Sequence, residues 1–101
     1  MITHIVMWSF KDEAAGNSKE ENIRQFSQML NALPPRINQI QYFEVGAKGA
    51  LSPQDNQDLV LISKFNSWDD LKSYAVHPEH QKVVVFAKEV VLSRAVIDYE
   101  S

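Results

Sequence analysis

The sequence predicts an α+β domain of ferredoxin-like type, βαββαβ, in which a four-stranded antiparallel sheet carries its helices on one face. Three observations carry this expectation. Four stretches are rich in β-branched and aromatic residues, the first with clear period-two alternation. Helical apolar spacing fills the gap after the first stretch and the gap before the last. Each helical stretch thus lies where a crossover between strands needs one. The 101 residues are the length of one compact domain, read as 1–101, with no linker, repeat or low-complexity tract.

Taken in order, residues 2–10 alternate, with His4, Val6, Trp8 and Phe10 on one face and Ile5 and Met7 on the other. The segment KDEAAGN (11–17) reads as a polar loop. Ser18 followed by Glu21 is a capping-box signature. Ile23, Phe26, Leu30 and Leu33 then recur at helical spacing until Pro34 and Pro35 stop the helix. A second strand is expected from about Ile37 to Val45, ending at Gly46, and KGALSPQDNQ (48–57) is the longest loop. Asp58 to Phe65 is the third strand, nearly all apolar. Ser67 and Asp70 open a short helix carrying Trp68, Leu71, Tyr74 and Ala75. Pro78 biases His77 away from helical backbone and is itself favoured at a first helical position, so a second helix starts there and runs to about Glu89. Val90 to Tyr99 is the fourth strand.

The strands are apolar on both sides. An antiparallel sheet with one solvated face alternates apolar and polar residues. Here Ile5 and Met7 oppose Val6, Trp8 and Phe10, Val60 and Ile62 oppose Leu59 and Leu61, and Ala95, Ile97 and Tyr99 oppose Val96. Helices cover only one face. Leaving several large side chains in water forgoes about 1.5–3 kcal/mol each, which rivals the ~5–15 kcal/mol stability of a whole domain. A second copy of the chain is the expected cover, giving a homodimer through the bare sheet face.

Composition closes several function classes. With no cysteine, thiol catalysis, disulfides and thiolate-bound zinc are excluded. The net charge is −3 and the ten Lys and Arg residues are scattered, so no nucleic acid is expected as a partner. The same element order occurs in RNA-recognition modules, but those need a basic aromatic motif on the third strand, where this chain has DLVLISKF. No segment approaches the ~20 apolar residues of a membrane span, and the N-terminal stretch has neither a basic leader nor a small-residue cleavage site. A cytoplasmic location with no membrane contact is the expectation.

Chemistry is then confined to few residues. Of the three histidines, His4 lies in the apolar alternation of the first strand, a place where a lone imidazole is more often a core or rim residue. Tyr74, in the last turn of the short helix, and His80, in the first turn of the next, can converge on one side of the break at His77-Pro78. A phenol can stabilise a developing oxyanion, and an imidazole exchanges protons near neutral pH. The bland reading packs the Tyr74 ring under the kink and turns His80 to water. An all-histidine metal set of His4, His77 and His80 lacks the spacing of a metal motif, and no cofactor or metal is expected. Asp69, Asp70 and Glu79 look like first-turn acids that complement helix dipoles.

The opening THIVMWSFK, the helical SKEENIRQF, the segment SYAVHPEHQKVV and the closing VIDYE together resemble the stress-responsive A/B barrel (Dabb) family, in order and across essentially the whole chain. The resemblance implies a protomer whose sheet packs face to face with that of a second copy, a dimeric α/β barrel. In one member, a polyketide cyclase that closes a linear chain by intramolecular aldol condensation, the active-site histidine and tyrosine fall in the same Y-x-x-H-P-x-H segment. This implies His80 as general base and Tyr74 as oxyanion donor, with His4 orienting the ligand. It also implies that Ile23 and Phe26 line an apolar pocket between helices and sheet, with Trp8 beside it. The resulting expectation is a cyclase-like binder of a small apolar carbonyl compound. The alternatives are a non-catalytic stress-related, ligand-binding or structural protein, and a cofactor-free monooxygenase on the same barrel. The sequence does not decide whether the domain is an enzyme.

Overall fold

The structure, a computed structural model, describes residues 1–101. Its elements are β1 (Ile2–Phe10), β2 (Glu13–Ala14), β3 (Asn17–Ser18), α1 (Lys19–Asn31), a 3-10 turn (Pro34–Arg36), β4 (Tyr42–Ala47), β5 (Leu59–Phe65), α2 (Trp68–Val76), α3 (Pro78–Val90) and β6 (Val91–Glu100). The main sheet has the order β4-β5-β1-β6 and is antiparallel throughout. This is the ferredoxin-like arrangement, with β1 in the interior and β6 on an edge.

Two parts of the chain fold differently from expectation. Ile37 does not begin a strand. Pro34 and Pro35 favour a 3-10 turn, in which the Arg36 and Ile37 amides both donate to the Leu33 carbonyl, at 2.9 and 3.0 Å. Ile37 is instead a plug in the core, 1% exposed, and the strand starts at Tyr42. It also runs past Gly46, which pairs with Val60, to Ala47. Nor is the segment after β1 a loop: β2 and β3 form a small hairpin. Ala15 (φ 53°) and Gly16 (φ 78°) supply the two positive φ angles that a two-residue turn requires.

Ser18 caps α1 by accepting the Glu21 amide at 3.2 Å. The buried Asn22 donates to the Ala14 carbonyl at 3.0 Å, pinning the hairpin to the helix. Inside, Val6, Trp8 and Phe10 of β1 and Leu59, Leu61 and Phe65 of β5 meet Phe26 and Leu30 of α1 and Tyr74 of α2 in one core.

The outer sheet face has no helix. Strand register places Ile5 opposite Ile62 and Ile97, and Met7 opposite Val60 and Ala95. Met7, Tyr42, Ile97 and Tyr99 are all exposed there. The second apolar face is therefore real in one copy of the chain. No helix is long and apolar enough to cross a membrane.

Candidate active site

The break between α2 and α3 builds one wall of the site. His77, in extended backbone before Pro78, ends α2 and caps α3, its Nδ1 accepting the Glu79 amide at 3.1 Å. The last carbonyls of α2 are left without helical partners, as at any helix end. His80 Nδ1 donates to the Ala75 carbonyl at 3.0 Å, and Gln81 Nε2 donates to the same oxygen at 2.7 Å. The first turn of α3 thus ties itself to the last turn of α2, and His80 lies against Tyr74 with ring centroids 4.4 Å apart.

The carbonyl of Ala75 can only accept, so the His80 proton sits on Nδ1 and Nε2 keeps its lone pair. Burial holds the His80 pKa below its usual 6.5, and nearby His4, Arg94 and His77 push it further down. The Ala75 carbonyl opposes them. At neutral pH the ring is a neutral base. Tyr74 is 1% exposed and its hydroxyl has no hydrogen-bond partner. Burial raises its pKa far above the ordinary phenol range, with Arg94 pulling the other way. Tyr74 therefore stays protonated, with a buried hydroxyl that is free to donate.

The third corner comes from the sheet. His4 faces Asp98 across the β1–β6 pairing, and its Nδ1 is hydrogen-bonded to the Asp98 carboxylate. A carboxylate oxygen only accepts, so the His4 ring donates from Nδ1 and turns Nε2 away from Asp98. His4 meets Tyr74 edge-on, with centroids 6.1 Å apart.

His4, Tyr74 and His80 line one cavity of about 450 Å³ between the sheet and the helices, a size that accepts a small organic molecule. Twelve of its sixteen lining residues are hydrophobic. Trp8 and Phe26 are among them, packed edge to face at 5.0 Å, and the cavity is open despite the bulk of Trp8. Ile23 does not line it. From the same helix it packs as a partly buried residue against the core. His77 is outside the lining as well, and no cluster of three or more His, Asp or Glu side chains is placed to hold a metal ion.

Three charged residues at the site escaped the sequence reading: Asp98, Arg94 and Lys88. Arg94 and Lys88 line the cavity, and Asp98 orients His4. Period-two alternation along β6 carries the signal for two of them. Arg94 and Asp98 share the face of Val96, and only the antiparallel register with β1 says that this face looks onto Trp8 and His4.

The sequence model of the stress responsive A/B barrel domain family, Dabb, matches residues 2–101. A stress-response A/B barrel domain-containing protein of Arabidopsis thaliana is 35% identical over 92 residues, 91% of this chain and 32% of that protein. A second Arabidopsis relative is covered to 39%, so the chain spans between about three and four tenths of the curated relatives it matches. Among solved structures, a dimeric protein of unknown function with a ferredoxin-like fold from Bacteroides fragilis is similar at 34% identity. The TM-score is 0.86, with 99% of this chain and 95% of that chain covered. The hydroxynitrile lyase of Passiflora edulis matches at 19% identity and TM-score 0.77, over 97% of this chain and 90% of that one, a likeness that concerns the fold alone. With a family match over nearly every residue and a fold to fit it, the chain belongs to the stress-responsive A/B barrel domain family.

Proposed function

We propose that the protein is a cytoplasmic homodimer that takes a small apolar carbonyl compound into this cavity and moves a proton at the carbon beside the carbonyl. The observation that carries the reading is the Tyr74 hydroxyl, buried and without a partner beside two imidazoles whose Nδ1 protons are already engaged. An unsatisfied buried hydroxyl costs about 1–3 kcal/mol, and a ligand oxygen accepting from it removes that cost.

In the reaction, His80 Nε2 takes the α-proton. The C–H electron pair becomes the double bond of an enolate, and the former carbonyl oxygen, now negative, accepts the Tyr74 hydrogen bond. His4, held by Asp98, orients the ligand from the sheet side. Where the ligand carries a second carbonyl, the enolate carbon attacks it to form a C–C bond. The His80 imidazolium then returns its proton to the new alkoxide, an aldol closure of the polyketide cyclase kind. Because burial depresses the His80 pKa, the base is available at neutral pH.

The exposed apolar face around Met7, Ile97 and Tyr99 and the dimeric Bacteroides relative support the homodimer. Sedimentation showing only an 11.6 kDa species at micromolar concentration overturns it.

The chemistry is tested with 2-octanone in D₂O, following deuterium entry at its α-carbons by NMR. The wild-type protein should accelerate exchange, and His80→Gln should lose about 10²–10⁴ of that acceleration. The mostly hydrophobic lining favours a second reading, a binding module without chemistry. Saturable 2-octanone binding with no exchange above buffer decides for it.

A further inference from the structure

The chain is acidic overall, at −3, yet its cavity is not. Among the sixteen lining residues are two cations, Lys88 and Arg94, and no carboxylate. Both are exposed on the cavity rim, Lys88 in the last turn of α3 and Arg94 on β6 opposite Trp8. Neither has an ion-pair or side-chain hydrogen-bond partner, whereas Lys19, Arg24, Arg36, Lys48 and Lys82 all pair with carboxylates. The two acids on the same face of β6 are engaged elsewhere, Asp98 by His4 and Glu100 by the Trp68 indole N–H at 3.3 Å. Tyr74, whose hydroxyl is buried and unpartnered, lines the same cavity. The cavity therefore runs from an apolar interior with one neutral donor to a rim with two free positive charges.

We propose that the ligand is an amphipathic anion. Its apolar chain would lie against Trp8, Phe26 and Leu30, its carbonyl at Tyr74, and its carboxylate on Arg94 and Lys88. This rests on the reading of the cavity as a carbonyl-compound site and names the class of compound, an apolar oxo-carboxylic acid. Arg94 offers the planar fork that matches a carboxylate, and Lys88 adds a point charge. A monoanion fits better than a phosphate dianion. Lys88 and Val91 belong to the carbonyl end of α3, whose partial negative charge offsets part of the two cations.

The test is calorimetric titration of the intact protein with octanoate, octyl phosphate and 2-octanone at low salt. Octanoate should bind about tenfold tighter than 2-octanone, and the advantage should shrink as salt rises. Arg94→Gln should bring the octanoate to 2-octanone affinity ratio close to one, and Lys88→Gln should lower it by a smaller factor. Lys72→Gln, an exposed lysine on α2 outside the cavity, should leave the ratio unchanged. Equal binding of octanoate and 2-octanone by the wild type overturns the inference and leaves the apolar carbonyl site standing. A ratio untouched by Arg94→Gln, or octyl phosphate preferred over octanoate, also overturns it. If neither octanoate nor 2-octanone binds, the underlying reading of the cavity falls, and this inference with it.

Discussion

β5 and β6 flank the same strand, pair with it in the same sense, and are both rich in apolar residues, yet they meet different fates. Along β5, Leu59, Leu61, Ser63 and Phe65 are buried and the residues between them half-buried. Along β6 every residue after Val91 is exposed, including Val96 at 46% and Ile97 at 58%. The helices make the difference. α1 packs on β1 and β4 and α2 on β5, whereas α2 touches β6 near the strand's C-terminal end, where the Trp68 indole N–H donates to the Glu100 carboxylate at 3.3 Å. The helix-facing side of β5 became core. The same side of β6, carrying Arg94, Val96 and Asp98, became the uncovered edge beside the cavity. Identical alternation therefore means packing in one strand and a site in the other, and layer coverage decides which.

The contrast is broken most directly by truncation. Leu61→Ala removes a fully buried side chain and should destabilise the fold by about 2–5 kcal/mol, whereas Val96→Ala should stay within about 0.5 kcal/mol. Denaturant unfolding under conditions that keep the protein monomeric measures both. A large loss at Val96 would mean that β6 is core after all.

A smaller effect, on activity rather than stability, is expected from Asp98→Asn. The amide no longer holds the His4 ring as an anion does, so 2-octanone exchange should fall about 10- to 100-fold, with little change in unfolding midpoint. An unchanged rate would leave the His4–Asp98 pair a purely structural contact.

The mildest test is pH. The neutral form of His80 is the active one and its pKa lies below 6.5 in the folded protein. Exchange relative to buffer should therefore be level from pH 8 to 6.5 and decline as pH falls through the depressed value. Stability follows the same sign: the unfolded chain takes up the His80 proton first, so this histidine's contribution is full above pH 6.5 and is lost on acidification. A decline that begins above pH 7 would point to another base.

Much of this was readable beforehand because it is local. Pro78 announces the break between α2 and α3, Ser18 and Ser67 announce their helices, and the spacing of Tyr74 and His80 around His77-Pro78 places both rings on one kink. What was not readable depends on partners distant in sequence. Asp98 gains meaning only from register with His4, 94 residues away. At the end of β1 the register slips, so that Phe10 faces Val91 and Leu92 is left over, 69% exposed. That bulge puts Val91 on the cavity side, and no local pattern marks it. Ile37 misled because an apolar residue after two prolines looks like the start of a strand, while the energetics of the turn made it a plug.

The central claim is that the Tyr74 hydroxyl is kept, at a cost to stability, for a ligand oxygen. Tyr74→Phe tests it directly by pairing thermal unfolding with deuterium entry into 2-octanone. The phenylalanine variant should be as stable as the wild type or more so, by about 1 kcal/mol, because a buried orphan donor is gone. Its exchange should fall by about 10²-fold. A variant that loses stability and exchanges as fast as the wild type would contradict the account.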